Sequence, residues 1–238
     1  MSQFLAFVEK AKRAEEANDN KADFIYRGQR EDKPLRPRLG RLVPKGRRKE
    51  IERLMFDEFK RTSIALTDLQ PETDWDFLAI AQHHNLPTRL LDWTYSALAA
   101  LWFAIEKEPV KIKEKQQNAV VWMLKTRVED FIDENSRSSP FGRGATSIYR
   151  PRVVTRRIAA QGGIFTVHNM MKSEGFVALE NNRRFKTRLV KFTVEASAFP
   201  EIRKHLDGCG VNRSTLFPDL VGLCDHLEWR YTKLPDEV

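Results

Sequence analysis

The chain has 238 residues, of which 41% are hydrophobic and 10% aromatic, a composition that indicates a globular protein and excludes a disordered one. The 41 Lys and Arg residues exceed the 33 Asp and Glu residues, and the net charge of +8 favours a polyanionic or phosphate-bearing partner unless it serves solubility alone. Two cysteines are too few for a disulfide scaffold or a four-cysteine zinc site, and no apolar run reaches the roughly 18 residues of a membrane span. The N-terminal residues become charged too early for a signal peptide, so we expect a soluble, cytoplasmic protein without a membrane partner.

The first half of the chain predicts four helices and one or two strands. Apolar residues at helical spacing indicate helices over about 2–18, 50–61, 74–84 and 97–107. A β-prone run indicates a strand over 24–27, and residues 89–93 are expected to form a short buried strand or a turn. Gly28 is expected to end the first strand. The predicted buried face of the 50–61 helix carries Ile51, Leu54, Met55 and Phe59. Four alanines in the 97–107 helix allow a neighbouring backbone to approach closely.

The second half adds strands over 119–124, 164–167 and 188–194, and helices over 200–206 and from Pro218 to Trp229. Cys224 lies on an apolar face of the last helix and is expected in the core, whereas Cys209, between two glycines, is expected to be exposed. Helices alternate with short, scattered strands, which predicts an α+β fold with a short-stranded sheet flanked by helices. No repeat, low-complexity tract or linker divides the chain, so residues 1–238 are expected to form one domain.

The segment Tyr26-Arg27-Gly28-Gln29 is the first candidate binding site. A strand that ends in Arg-Gly places a guanidinium group at the edge of a sheet, and the glycine allows a ligand to approach the backbone. Guanidinium groups bind phosphate with two parallel hydrogen bonds. The alternative is a surface arginine before an ordinary turn.

The densest group of polar side chains lies between Gln82 and Thr94 and includes two histidines, an arginine and an aspartate. Adjacent histidines on a helix point about 100° apart, and neither HxxxH nor HExxH occurs, so no metal site is expected. Three interpretations stay open. The segment binds a ligand; or Arg89 and Asp92 form a structural pair in the core while the histidines bond to backbone carbonyls; or a hydrolase or nuclease uses His83, His84 and Asp92.

An arginine-rich stretch without acidic residues extends over the 39 residues from Asn135 to Ser173. Such a stretch suits a nucleic-acid backbone or the pyrophosphate of a dinucleotide. Together with an earlier basic run at 36–53, it supplies the predicted nucleic-acid contacts, which are Arg47, Arg48, Arg143, Arg150, Arg152, Arg156 and Arg157. Neither a P-loop nor a Gly-x-Ser-x-Gly nucleophile motif occurs.

These segments together resemble the FRG domain, a bacterial and phage domain named for a Phe/Tyr-Arg-Gly motif. Tyr26-Arg27-Gly28 matches the motif, and the most specific block runs from His84 through Leu-Pro-Thr-Arg-Leu-Leu-Asp-Trp to Thr94 and into an alanine-rich helix. Arg157 to Phe165 and Leu216 to Leu220 resemble the later blocks, so the resemblance covers about residues 20–228. The usual hosts of the family imply a role in toxicity or phage defence.

The chain is also similar, in the order of its elements, to ADP-ribosyltransferases of the arginine–serine–glutamate type. Their NAD site begins with a strand ending in Tyr-Arg-Gly, continues with a strand leading into an alanine-rich helix, and places a catalytic glutamate shortly before a later strand. The resemblance implies that Arg27 grips NAD, and Gln161 stands where the glutamate is expected. Because a glutamine carries no negative charge, another acid such as Asp92 would have to stabilise the transition state.

The sequence therefore predicts an ADP-ribosyltransferase-like enzyme that uses NAD or a related nucleotide, with Arg27, Asp92 and Gln161 as catalytic residues. The predicted ligand-binding residues are Tyr26, Gly28, Gln29, His84, Thr88, Arg89, Trp93 and Thr94. A nucleic acid or a protein would accept the transferred group. The alternative is a non-catalytic nucleic-acid-binding module whose binding weakens steeply with salt. Arg27, Asp92 and Gln161 must share one cleft if the enzyme hypothesis is right.

Overall fold

The computed structural model describes residues 1–16, 23–66, 70–133, 139–142, 144–152 and 155–238. The helices in this part of the chain are α1 (Ser2–Glu16), α2 (Arg48–Ser63), α3 (Asp74–His83), α4 (Ala97–Ile105), α5 (Arg156–Ala160), α6 (Phe199–Gly208), α7 (Arg213–Leu216) and α8 (Leu220–Tyr231). The strands are β1 (Phe24–Gln29), β2 (Leu90–Thr94), β3 (Lys111–Ile112), β4 (Lys115–Gln116), β5 (Ala119–Lys125), β6 (Ser147–Tyr149), β7 (Gly163–Val167) and β8 (Leu189–Val194).

Six strands form one antiparallel sheet in the order β6-β7-β2-β1-β5-β8, and β3 and β4 form a separate hairpin. β1 pairs with β5 along its whole length, and β2 pairs with β7 along its whole length. β1 and β2, in contrast, share the single register pair of Tyr26 with Thr94. The sheet therefore consists of two three-stranded halves that are joined by one residue pair.

Helices cover one face of both halves. On the half that contains β1, β5 and β8, helices α1, α4 and α6 pack over Tyr26, Val121 and Met123. On the half that contains β2, β6 and β7, α2 and α3 pack over Leu90 and Phe165. The opposite face of the sheet, which carries Ile25, Trp93 and Trp122, is covered by loops. Residues that pair across antiparallel strands point to the same side, so the two helix-covered clusters lie side by side.

The predicted α+β fold is confirmed, and the predicted helices and strands are present with ends that differ by a few residues, while residues 17 and 18 of the first predicted helix lie outside the described residues. The predicted buried face of α2 is wrong, because Glu52 and Phe56 are buried while the side chain of Leu54 is exposed. The predicted burial of Cys224 is also wrong, since both cysteines are exposed. Among the described residues, no helix combines the length and the apolar composition needed to cross a lipid bilayer.

Gly28 lies inside β1 and does not end it, and its role is to admit α4. A Cβ atom at this position would lie 1.9 Å from the carbonyl oxygen of Ala100 and 2.6 Å from the amide nitrogen of Ala104. The alanines of α4 therefore allow a backbone to approach closely, as the sequence predicts, and the approaching backbone is that of β1.

We expect Gly28→Ala to lower the free energy of unfolding by about 3 kcal/mol or more, because the added methyl group overlaps backbone atoms that cannot rotate away. Urea denaturation followed by circular dichroism measures the change. The matched control is Gly208→Ala at the end of α6, where a Cβ atom would meet nothing within 4 Å. This control should stabilise the protein by up to about 1 kcal/mol. Equal effects of the two substitutions would contradict the packing argument.

Candidate active site

A cleft of about 280 Å³ opens where β1 and β2 diverge. The two strands pair at Tyr26 and Thr94, but the pairing does not continue to Gly28 and Asp92, although the structure describes both strands in full. Residues of both strands line the cleft, α3 and α4 contribute to its walls, and residues of α5 and β7 complete it. The break in the sheet thus creates a concave site between the two helix-covered clusters.

The side chain of Arg27 bridges the gap between the two strands. Its Nη1 atom donates to the backbone oxygen of Asp92 at 2.7 Å and lies 3.6 Å from the Oδ2 atom of Asp92. The side chain is 17% exposed, and its buried Nε atom has no hydrogen-bond partner among the described residues. Burial lowers the pKa of Arg27, an effect that Asp92 opposes and Arg41 reinforces. Arg27 therefore presents a poorly solvated positive charge to the cleft, which favours an anionic ligand.

Asp92 supplies the negative charge of the cleft. Its carboxylate is 57% exposed, and among the described residues that line the cleft it is the one acidic side chain. The Nε2 atom of Gln82 lies 3.0 Å from each carboxylate oxygen, and the Oε1 atom of Gln82 accepts a hydrogen bond from Thr88. The hydroxyl oxygen of Thr88 in turn accepts from the amide of Leu90. This chain of hydrogen bonds fixes the orientation of Asp92 while leaving the carboxylate accessible.

Gln161 lines the same cleft, but its side-chain amide is engaged elsewhere. Its Nε2 atom donates to the backbone oxygen of Leu216 at 3.0 Å, and its own backbone oxygen accepts from the hydroxyl of Thr94 at 2.6 Å. Gln161 therefore ties the end of α5 to both β2 and α7. Arg27, Asp92 and Gln161 meet the condition that the enzyme hypothesis sets, because all three line one cleft.

The two adjacent histidines lie at the end of α3 with their rings edge to face, 4.8 Å apart. His83 lines the cleft, and its pKa is lowered to about 4, chiefly by burial and further by the charges of Arg157 and His84. Asp92 and Asp219 act in the opposite direction without cancelling this shift. His83 is therefore neutral at pH 7. In the part of the chain that the structure describes, no group of three His, Cys, Asp or Glu side chains is placed to hold a metal ion.

Arg89 lies outside the cleft, in the core. Its Nε and Nη2 atoms donate to the two carboxylate oxygens of Glu52 at 2.8 and 2.5 Å, and its Nη1 atom donates to the backbone oxygen of Pro140. Both side chains are 3% exposed. Arg89 thus forms a structural ion pair in the core, as one interpretation of the sequence expects, but its partner is Glu52 and not Asp92. The pair joins α2 to the start of β2.

The remaining predicted ligand-binding residues divide between the cleft and its support. Tyr26, Gly28, Trp93 and Thr94 line the cleft, and the buried hydroxyl of Tyr26 has no hydrogen-bond partner among the described residues. Thr88 acts through Gln82, as described above, and His84 and Gln29 are not part of the lining. The side-chain oxygen of Gln29 accepts a hydrogen bond from the indole of Trp122. Sequence reasoning did not name Gln82, Phe103 or Phe165 as ligand-binding residues, although all three line the cleft.

Most of the arginines that were predicted to contact nucleic acid, and that the structure describes, bind other residues of this chain. Arg47 pairs with Glu50 and Glu174, Arg48 donates to two backbone oxygens, Arg150 donates to the hydroxyl of Tyr95, and Arg152 pairs with Glu72. Arg156 is exposed on α5, and Arg143 lies outside the described residues. Arg157 is the member of this group that lines the cleft, and its Cζ atom lies 4.1 Å from the centroid of the Phe217 ring.

A comparison with protein families supports the sequence resemblance. Residues 22–113 match the family model of the FRG domain. This part of the chain is an FRG domain. It contains β1, α3, β2 and α4, and hence both strands that diverge at the cleft, whereas Arg157 and Gln161 lie beyond the matched residues. No curated protein and no solved structure matches the chain.

Because Glu52 and Arg89 form a buried ion pair in the FRG domain, we expect a small substitution in this pair to lower the stability of the protein strongly. Glu52→Gln leaves the arginine charge buried without a counter-charge, so we expect the free energy of unfolding to fall by about 3–5 kcal/mol. Urea denaturation measures the loss. The control is Glu50→Gln on the same helix, which removes an exposed partner of Arg47 and should change stability by less than about 1 kcal/mol. Similar losses in the two variants would contradict the assigned role of the pair.

Two histidines should make the protein less stable as the pH falls. Burial lowers the pKa of both His83 and His168 to about 4 from the ordinary 6.5. Between these values the unfolded chain binds protons that the folded protein does not, so the free energy of unfolding should decline as the pH drops from 6.5 towards 4. Urea denaturation at several pH values measures this slope. His83→Gln removes one of the two groups and should reduce the slope, and an unchanged slope would contradict the pKa of His83.

Proposed function

We propose that this FRG-domain protein is a transferase that binds NAD or a related nucleotide in the cleft between β1 and β2 and transfers its ADP-ribosyl group to an acceptor. One observation carries the proposal: the poorly solvated guanidinium of Arg27 and the accessible carboxylate of Asp92 lie next to each other in the cleft where the two strands diverge. The order of the elements, from a Tyr-Arg-Gly strand to a strand that leads into an alanine-rich helix, supports it by analogy with ADP-ribosyltransferases.

Arg27 is suited to hold a phosphate group of the nucleotide. One of its donors is used on the backbone of Asp92, which fixes the guanidinium plane, and its Nε atom has no hydrogen-bond partner among the described residues. Arg157 adds a second positive charge to the lining and is held by its contact with Phe217. A diphosphate is the natural partner of two such groups. The rings of Phe103 and Phe165 offer apolar surface for the base or the nicotinamide.

Asp92 is suited to stabilise the positive charge that develops on the ribose. When the bond between ribose C1′ and the nicotinamide nitrogen breaks, its electron pair leaves with nicotinamide, and the ribose becomes oxocarbenium-like. A carboxylate next to C1′ lowers the energy of this state. The acceptor then forms a bond to C1′ and loses a proton, which Asp92 can take up. Gln161 is neutral and would act by accepting a hydrogen bond from a ribose hydroxyl.

The acceptor in this proposal is a nucleic acid or a protein, in keeping with the toxin or phage-defence setting that the resemblance implies. The positions of the arginines favour a nucleotide cleft over a non-catalytic nucleic-acid track. Arg27 and Arg157 line one cleft, whereas Arg47, Arg48 and Arg152 already bind carboxylates or backbone oxygens. The net charge of +8 remains suited to bringing a polyanionic acceptor close to the cleft.

Labelled NAD tests the proposal. We expect the protein to transfer label from the ADP-ribose part of NAD to a component of a cell lysate, and digestion with nuclease or protease to identify the class of acceptor. Asp92→Asn keeps the shape of the side chain and removes its charge, so transfer should fall by about 10²–10³ with little change in NAD binding. Arg27→Lys removes the planar donor pair and should weaken NAD binding by about tenfold or more.

The matched control is Arg156→Lys, which changes an exposed arginine outside the cleft lining and should leave both transfer and NAD binding unchanged. A folded wild-type protein that neither binds NAD nor transfers label would contradict the proposal. Binding of labelled DNA or RNA that weakens steeply with salt would then favour the non-catalytic module.

A further inference from the structure

A second cleft, of about 330 Å³, lies between the end of α4, the end of α6 and the inner side of α8. Trp102 and Glu106 of α4, Asp207 of α6, and His226 and Trp229 of α8 contribute to its lining. It shares no lining residue with the cleft between β1 and β2. It is therefore a separate concave site, with a different chemical character.

The lining of the second cleft is acidic, although the protein as a whole is basic. Its carboxylates are Glu106, Glu108, Asp207, Asp225 and Glu228, and its basic side chains are Lys107, Arg203 and Arg213. Arg203 is neutralised by Asp236 and Glu237, which lie outside the lining, at 2.7 and 3.0 Å. Arg213 lies 3.1 Å from both Glu106 and Asp225. After these pairs are formed, the lining keeps an excess of negative charge.

An unsatisfied polar atom indicates which kind of ligand the second cleft accommodates. His226 is 8% exposed, and its Nε2 atom lies 3.5 Å from the carboxylate of Asp207. This carboxylate favours the tautomer in which Nε2 carries the proton, so Nδ1 is a hydrogen-bond acceptor. Nδ1 is buried and has no partner among the described residues. Buried acceptors without a donor are rare, and a ligand that carries N–H groups would supply one.

Two tryptophans complete the lining. The indole of Trp229 is held nearly parallel to the ring of His226, with 5.9 Å between the ring centroids and 25° between the planes. Trp102 lies on the α4 side of the same cleft. The face of an indole attracts cations, and guanidinium and ammonium groups are its usual partners in proteins.

We propose that the second cleft binds a small organic cation, an alkylguanidinium or alkylammonium group, that donates hydrogen bonds to His226 and to the carboxylates and places its apolar stem against the tryptophans. Carboxylates, the Nδ1 acceptor of His226 and indole faces favour a cation with N–H donors over an anion. The same group occurs on diffusible amines such as agmatine and on the arginine or lysine side chains of a polypeptide. The site shares no lining residue with the nucleotide cleft.

The test compares ethylguanidinium with ethylurea, which has nearly the same shape and no charge. The indole N–H signal of Trp229 in ¹⁵N-labelled protein, assigned with Trp229→Phe, reports binding at the cleft itself. We expect a saturable shift with ethylguanidinium, with a Kd on the order of 1 mM for so small a ligand, and binding of ethylurea at least about tenfold weaker. No saturable shift, or equal binding of the two compounds, would overturn the proposal.

Two variants and two controls show whether the lining is responsible. Glu228→Gln and Asp207→Asn each remove one carboxylate of the lining and should weaken binding about threefold or more. Asp57→Asn removes the same charge from the exposed surface of α2 and should have no effect, and Arg27→Lys in the nucleotide cleft should also have none. If Asp57→Asn weakened ethylguanidinium binding as much as the lining variants do, the effect would come from the overall charge of the protein, and the proposed site would be overturned.

The same titration with agmatine and with the tripeptide Gly-Arg-Gly distinguishes the two sources of the cation. Tighter binding of agmatine indicates a diffusible amine, and tighter binding of the tripeptide indicates a side chain presented by a polypeptide. Binding of neither, in a protein that remains folded, would overturn the proposal.

Discussion

The close contact between β1 and α4 determines where the two halves of the sheet separate. Gly28 lies against the backbone of α4, and β1 is paired with β5 along its whole length. β2 is in turn paired along its whole length with β7. β1 is thus paired fully with β5 and β2 with β7, whereas β1 and β2 pair with each other only at Tyr26 and Thr94. A backbone oxygen left without a ladder partner must be satisfied in another way, and Arg27 satisfies that of Asp92.

Arg27 and Arg89 show how the surroundings give the same side chain different functions. Arg89 donates two short hydrogen bonds to the buried carboxylate of Glu52, and this pair fixes α2 on the sheet without leaving charge for a ligand. Arg27 binds a neutral carbonyl and stands 3.6 Å from a carboxylate that is half exposed. Its charge is therefore only partly compensated. Burial makes such a charge costly, and an anionic ligand would compensate it.

The sequence predicted the main helices and strands because their apolar residues repeat at helical or strand spacing. The enzyme hypothesis required Arg27, Asp92 and Gln161 to share a cleft, and all three line one. Sequence reasoning failed where a polar residue is buried. Glu52 lies on the buried side of α2, and its partner Arg89 is 37 positions away, so no local pattern reveals the pair. Leu54, the residue that periodicity placed in the core, is exposed instead. The second cleft was missed for the same reason, since α4, α6 and α8 meet only in the folded chain.

The segment from α7 to Phe217 lies between the two clefts and contributes to the surroundings of both. Leu216 accepts the side-chain hydrogen bond of Gln161 in the first cleft, and Phe217 contacts Arg157 of the first cleft and Arg213 of the second. Gly222 of α8 has no room for a side chain because the carbonyl of Phe217 lies against it. The two clefts share no lining residue, but Phe217 is in contact with an arginine of each cleft and with the first turn of α8.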